Sequence, residues 1–97
     1  MSASTTLHVI ATPYRYWAGL VDQLKALWQT GDAVLLLAEG VQGWQDNTLE
    51  GFAPVYILDT DTLLASIHSD LPQHLVSVDH QGWADLVLNH TKCMTWR

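Results

Sequence analysis

The 97-residue chain has a single cysteine, only four basic residues, and no apolar run approaching the ~20 residues that cross a bilayer. Alone, Cys93 can form neither an internal disulfide nor a CxxC redox pair. Residues 1–6 contain no Lys or Arg and the apolar stretch after them is short, which is not the pattern of a secretory signal. The expectation is a cytoplasmic protein with no membrane segment and with residues 1–4 flexible. Ten acidic side chains against the four basic ones give a net charge of −6. Such a surface repels phosphate backbones, so direct binding to nucleic acid is not expected. Charged residues make up 14% of the chain and hydrophobic ones 48%, which excludes a disordered segment and fits one domain over residues 1–97 with one core. Phosphate cradles are missing as well: Gly40 and Gly43 do not complete GxGxxG, and no Gly-Lys-Ser/Thr occurs. There is no GxSxG nucleophile elbow. His8, His68, His74, His80 and His90 show neither HxH nor HExxH spacing.

What the chain does have is tryptophan, five in all. That is more than one small core usually absorbs, and tryptophan is enriched where a ring is buried against a partner. With so little charge to solvate its surface, the chain reads as a subunit. Trp17, Trp28 and Trp83 fall on helical apolar faces and are assigned to the core. Trp44, in a polar glycine-flanked segment, and Trp96, next to the last residue, are the expected interface anchors.

Along the chain, apolar runs of strand length alternate with helical periodicity. Residues 5–11 form a first strand rich in β-branched residues. Thr12-Pro13 suits a helix start, with Thr12 as cap and Pro13 in the first turn. Trp17, Leu20, Val21, Leu24, Leu27 and Trp28 then recur at helical spacing, and Gly31 stops the helix. Residues 33–38 are apolar throughout, as in a strand of a parallel sheet covered on both faces. Residues 41–49 are turn-rich with one short helix, and 54–58 form a third strand with Pro54 at its edge. Asp59 or Thr60 caps a helix containing Leu63, Leu64 and Ile67. Residues 75–78 are a fourth strand, Asp79 caps a last helix with Trp83, Leu86, Val87 and His90 on its apolar face, and 93–96 form a short fifth strand. The alternation predicts one doubly wound α/β domain, a flavodoxin-like parallel sheet in the order 2-1-3-4-5 flanked by helices.

In such sheets function sits beyond the carboxyl ends of the strands. Asp59, Asp61 and Asp79 fall there and could hold magnesium, but each also has a plain use as a helix cap, and capping is the assignment made. His80, His90 and Cys93 could be drawn into a metal site; surface and core histidines are the preferred reading, and no metal or other cofactor is expected. Cys93 is the only sulfur nucleophile, with Lys92 beside it and His90 three residues before, either able to stabilise a thiolate.

From end to end the chain resembles the TusB/DsrH family of sulfur-relay subunits, whose fold is DsrE-like. Leu7-His8 is similar to that family's opening Leu-His, and Thr12-Pro13 to its Ser-Pro. The strongest block is Gly31-Asp-Ala-Val-Leu-Leu-Leu-Ala-Glu-Gly-Val41, followed by Val55-Tyr-Ile-Leu58 and Asp61, Val78-Asp79, Trp83-Ala-Asp-Leu-Val-Leu-Asn-His90 and the terminal Trp96. Glu39 replaces the usual Asp before Gly-Val, and Ser66 a usual glycine. Some members carry a cysteine in the first helix; here that region holds Asp22 and Gln23. The resemblance implies a heterohexamer with two similar small subunits, TusC/DsrF-like and TusD/DsrE-like. That complex passes persulfide sulfur between carrier proteins towards the wobble uridine of transfer RNA. The acceptor cysteine would lie on another subunit, leaving this chain non-catalytic by itself. A sulfurtransferase using Cys93 and a stand-alone homo-oligomeric regulator of the same fold are the alternatives.

Overall fold

Each of the five apolar runs becomes a strand of one parallel sheet. The computed structural model describes residues 5–52, 54–60 and 73–96. Its strands are β1 (Thr6–Ile10), β2 (Ala33–Leu36), β3 (Val55–Leu58), β4 (Leu75–Val78) and β5 (Lys92–Trp96), and its α-helices are α1 (Trp17–Leu27) and α2 (His80–Asn89). Also among the described residues are three short 3-10 segments, Tyr14–Tyr16, Ala38–Gly43 and Asn47–Phe52, and helical backbone at residues 59–60. The helix expected around Leu63, Leu64 and Ile67, Asp61, Ser66 and His68, and residues 1–4, expected to be flexible, all lie outside the described residues.

Alternation along the strands sorts the side chains onto two faces. On one face Ile10, Val34, Leu36, Val55, Ile57 and Leu75 pack against Trp17, Leu20, Val21 and Leu24 of α1 and Val41, Leu49 and Phe52 of the 3-10 segments. On the other, Leu7, Val9, Ala33 and Leu35 meet Trp83 and Leu86 of α2. β2 is buried at all four positions, which is why its sequence lacks the alternation of a half-exposed strand.

The strand order is 4-3-2-1-5. This corrects the expected 2-1-3-4-5. The cause is the connection after β2. A Cβ on Gly40 would run into the Ile10 carbonyl, and one on Gly43 into the Trp17 ring, so this segment presses onto the same face as α1. Right-handed crossovers on one face step the sheet one way, and β3 therefore continues past β2 instead of returning beside β1. From β4, α2 crosses the opposite face and delivers β5 to the free edge of β1. The sheet is still wound in both directions.

Local expectations fare unevenly. Asp79 caps α2, its Oδ1 accepting from the Gly82 amide at 2.8 Å. Thr12 caps nothing: its buried hydroxyl has no partner, and the chain enters α1 through the 3-10 turn without a side-chain cap. Its carbonyl instead accepts from Trp17 Nε1 at 2.9 Å. α1 ends at Leu27, before Trp28 turns extended, so Leu27 is left exposed rather than facing the core. Gly31 does take a left-handed φ of 96°, but in the turn beyond the helix. The α2 face is shallower than its pattern suggests: Trp83, Leu86 and His90 are half-buried and Val87 is exposed.

Candidate functional site

Beyond the carboxyl end of β1 the chain forms an open crevice of about 430 Å³ lined by Tyr14, Arg15, Trp17, Asp22, Lys25, Asp46 and Thr48, among others. Pro13 cannot donate a backbone hydrogen bond, and the tight turn after it carries Tyr14, Arg15 and Tyr16 outward. Tyr14 is tied down at both ends. Its amide donates to Gln42 Oε1 at 3.2 Å, and its hydroxyl to Asp46 Oδ2 at 2.9 Å. Asp46 Oδ1 accepts from the Thr48 amide at 2.9 Å and the Thr48 hydroxyl at 2.7 Å. Arg15 lies over the Tyr16 ring, 4.9 Å from its centroid.

The electrostatics fix the protonation of this pair. The hydrogen bond to Asp46, then that carboxylate's charge, raises the Tyr14 phenol above its ordinary value. Burial pushes the Asp46 carboxyl upward, but bonds from the Thr48 amide, the Thr48 hydroxyl and Tyr14 outweigh it, and the net shift is down. At neutral pH the phenol keeps its proton and the carboxylate stays ionised. The crevice lining sets the cations Arg15 and Lys25 among the anions Asp22 and Asp46.

A second cluster joins Asp32, just before β2, to His8 in the middle of β1 and Trp96 at the end of β5. His8 is 1% exposed and Asp32 4%. His8 Nε2 donates to Asp32 Oδ2 at 3.1 Å, and Trp96 Nε1 donates to His8 Nδ1 at 3.3 Å, which places the ring proton on Nε2. Asp32 Oδ1 accepts from the Thr6 amide at 2.8 Å and Oδ2 from the Gln29 amide at 3.1 Å. Burial alone would raise the Asp32 carboxyl; the Thr6 amide, His8 and the Gln29 amide overcome it and hold it below the ordinary range. Trp28 stacks on the His8 ring at 5.6 Å and meets Phe52 edge-on at 5.0 Å. The cluster thus joins three separate sequence blocks, Leu7-His8, Gly31-Asp32 and Trp96. Sequence reasoning sorted His8 with the other histidines. The available signal was one polar residue inside the apolar run of β1, which when buried demands a partner.

Cys93 is exposed on β5, paired with Leu7 near the start of β1, beside a depression of about 670 Å³ also lined by Thr6, His8, Leu27, Gln29, Lys92 and Met94. His90 Nδ1 is engaged by the Leu86 carbonyl at 2.7 Å, within its own helix. His80 is exposed beside Trp83, and His74 is half-buried. Asp59 and Asp79 lie just after β3 and β4. Among the described residues no group of three or more His, Cys, Asp and Glu side chains could hold a metal ion. Trp44 and Trp96 are both half-buried, each packed against the α1-side core. No described helix is long and apolar enough to cross a membrane.

No curated protein matches the chain. In fold it is similar to the YchN protein from E. coli, known from a crystal structure. The TM-score is 0.71 at 13% identity, with 98% of this chain and 100% of that chain covered. A family model described as DsrH like protein matches residues 18–93, from the start of α1 to Cys93. That span takes in Gly31-Asp32, β2 and its glycine segment, β3, β4 and α2, and on it the chain belongs to the DsrH-like family of sulfur-relay subunits.

Proposed function

We propose that this chain is a non-catalytic subunit of a heterohexameric persulfide-relay complex, joined to TusC/DsrF-like and TusD/DsrE-like subunits and serving 2-thiolation of the wobble uridine of transfer RNA. The observation that carries the reading is the crevice beyond β1, the usual seat of chemistry in this class of sheet. It holds Tyr14, Arg15, Asp22 and Asp46 and no cysteine, while the chain's one thiol stands on an edge strand at the other end. Sulfur would be carried by a partner's cysteine, and this subunit would shape and dock the relay. Exposed Tyr14 and Tyr16, with Arg15 between them, are the residue types that anchor protein contacts. The acidic surface fits partners that are proteins, with transfer RNA handled downstream.

Co-purification from the native host tests assembly, and the 2-thiouridine content of transfer RNA after deletion tests the pathway. A chain that purifies alone overturns the subunit reading. Unchanged thiouridine overturns the transfer RNA branch.

Two variants refine it. Cys93→Ser should leave sulfur transfer by the assembled complex within about threefold of wild type, since an exposed surface thiol with no partner cysteine is dispensable for packing. Lost transfer with assembly intact would make Cys93 the persulfide carrier. Trp44→Ala should weaken association by about 2 kcal/mol, the scale of an interface hot spot, measured by sedimentation of the purified complex. Trp96→Ala should do the same, compared at matched folding because its ring also covers His8. Unchanged assembly in both would assign these rings to the domain's own core.

A further inference from the structure

Among the described residues the two faces of the sheet are unequally covered. Five strands at about 4.8 Å spacing are about 20 Å across, whereas one helix with its side chains is about 10 Å wide. α1 and two 3-10 segments share one face, but among the described residues α2 alone covers the other. α2 contains no fully buried residue. On its outer flank Leu88 is 81% exposed and Val87 41% exposed, and together with Trp83 and Ala84 they line a shallow, almost wholly apolar groove of about 380 Å³. Val76 of β4 is exposed on the same face, since its register partner Tyr56 packs with Trp83 and Leu86. A contiguous apolar surface of this kind marks a contact site.

Charge decides what covers it. The same helix carries two exposed carboxylates, Asp79 at its N-cap and Asp85 next to Ala84 of the groove. Of the chain's four basic residues, Arg15 and Lys25 line the crevice on the α1 side, Lys92 sits at the start of β5, and Arg97 is outside the described residues. A second copy docked here symmetrically would bring like carboxylates together within a pair of net charge −12, twice the −6 of one chain. We propose that the outer flank of α2, with Val76, is the docking surface for a different α/β subunit, one that offers an apolar patch rimmed by Lys or Arg. This rests on the subunit reading above and assigns to it a face separate from the Tyr14–Tyr16 crevice.

The test co-expresses the full chain with its DsrE-like and DsrF-like partner subunits and follows assembly by sedimentation. Leu88→Asp should weaken assembly by about tenfold or more, the scale of a lost apolar anchor, with the circular dichroism and thermal melt of the free chain unchanged. Asp85→Lys, which reverses the rim charge without touching the groove, should weaken it in low salt and lose that effect in high salt. Both variants assembling like wild type would overturn the surface while leaving the subunit reading standing. Self-association of the wild-type chain that Leu88→Asp abolishes would overturn the choice of a different partner. A wild-type chain that joins neither subunit would overturn the reading itself.

Discussion

Asp32→Ala should cost the folded protein about 3 kcal/mol, read as a lower urea midpoint at unchanged slope. The substitution removes the acceptor of three donors at once: the Thr6 amide, the Gln29 amide and His8 Nε2. Thr6 opens β1, Gln29 sits in the turn before β2, and His8 is buried under Trp28, so the carboxylate ties the start of β1 to the turn that leads into β2. Acidification should show the same carboxylate. Its pKa is lower in the folded state than in the unfolded chain, so its stabilisation is complete above the unfolded value of about 3.9 and is lost as pH falls through the folded one. Wild type should therefore weaken below about pH 4, and Asp32→Ala should weaken less steeply over the same range. Parallel acid limbs in the two proteins would show that Asp32 is not held as an ionised acceptor.

Gly40→Ala should be at least as damaging, about 3 kcal/mol or more, because the added methyl meets backbone and not a movable side chain. The obstacle is the carbonyl of Ile10, the last residue of β1, which also accepts from the Leu37 amide at 3.0 Å. Relief would separate the connection after β2 from the sheet. Gly19 supplies the internal comparison. It lies in the first turn of α1 with open space around its Cβ position, so Gly19→Ala should stabilise the protein by about 0.5 kcal/mol through helix propensity. Denaturation curves of the two alanine variants should move in opposite directions. A Gly40→Ala protein as stable as wild type would refute the close approach, and with it the explanation of the strand order.

These two positions also mark where sequence reasoning succeeds and where it stops. Strand positions are legible because buried parallel strands are short, continuous apolar runs, and Asp79 is legible as a cap because capping is local. Strand order is not local. The runs at β1, β2 and β3 are alike in composition, and what chooses their neighbours is a methyl-sized clearance between Gly40 and Ile10, residues 30 apart in sequence. The cluster of His8, Asp32 and Trp96 was present as isolated motif letters, since it is assembled only by the sheet. The Tyr14–Asp46 bond was hidden for a different reason: it joins two loops, whose residues carry no periodicity to betray a contact. The outward flank of α2 was masked by a pattern in which Val87 reads as core, because periodicity reports which residues share a face and not whether anything covers it.

The position of β5 has a consequence for how the molecule opens. β1 pairs with β2 across a short crossover, but its bonds to the β5 side, from Thr5 to Thr91, close a loop 86 residues apart in sequence. Closing so long a loop carries the larger entropy cost, and the residues that repay it are exposed from Lys92 to Thr95. The final strand is thus expected to dock last and to leave first, while β4-β3-β2-β1 remains a contiguous sheet. Its departure would bare the edge of β1 and uncover His8 in one step. A freed edge accepts any strand of matching register, including the same segment from a second molecule. Amide exchange should therefore be faster in β5 than in β2. The one strand held chiefly by its neighbour's backbone is also the one through which two copies could trade parts.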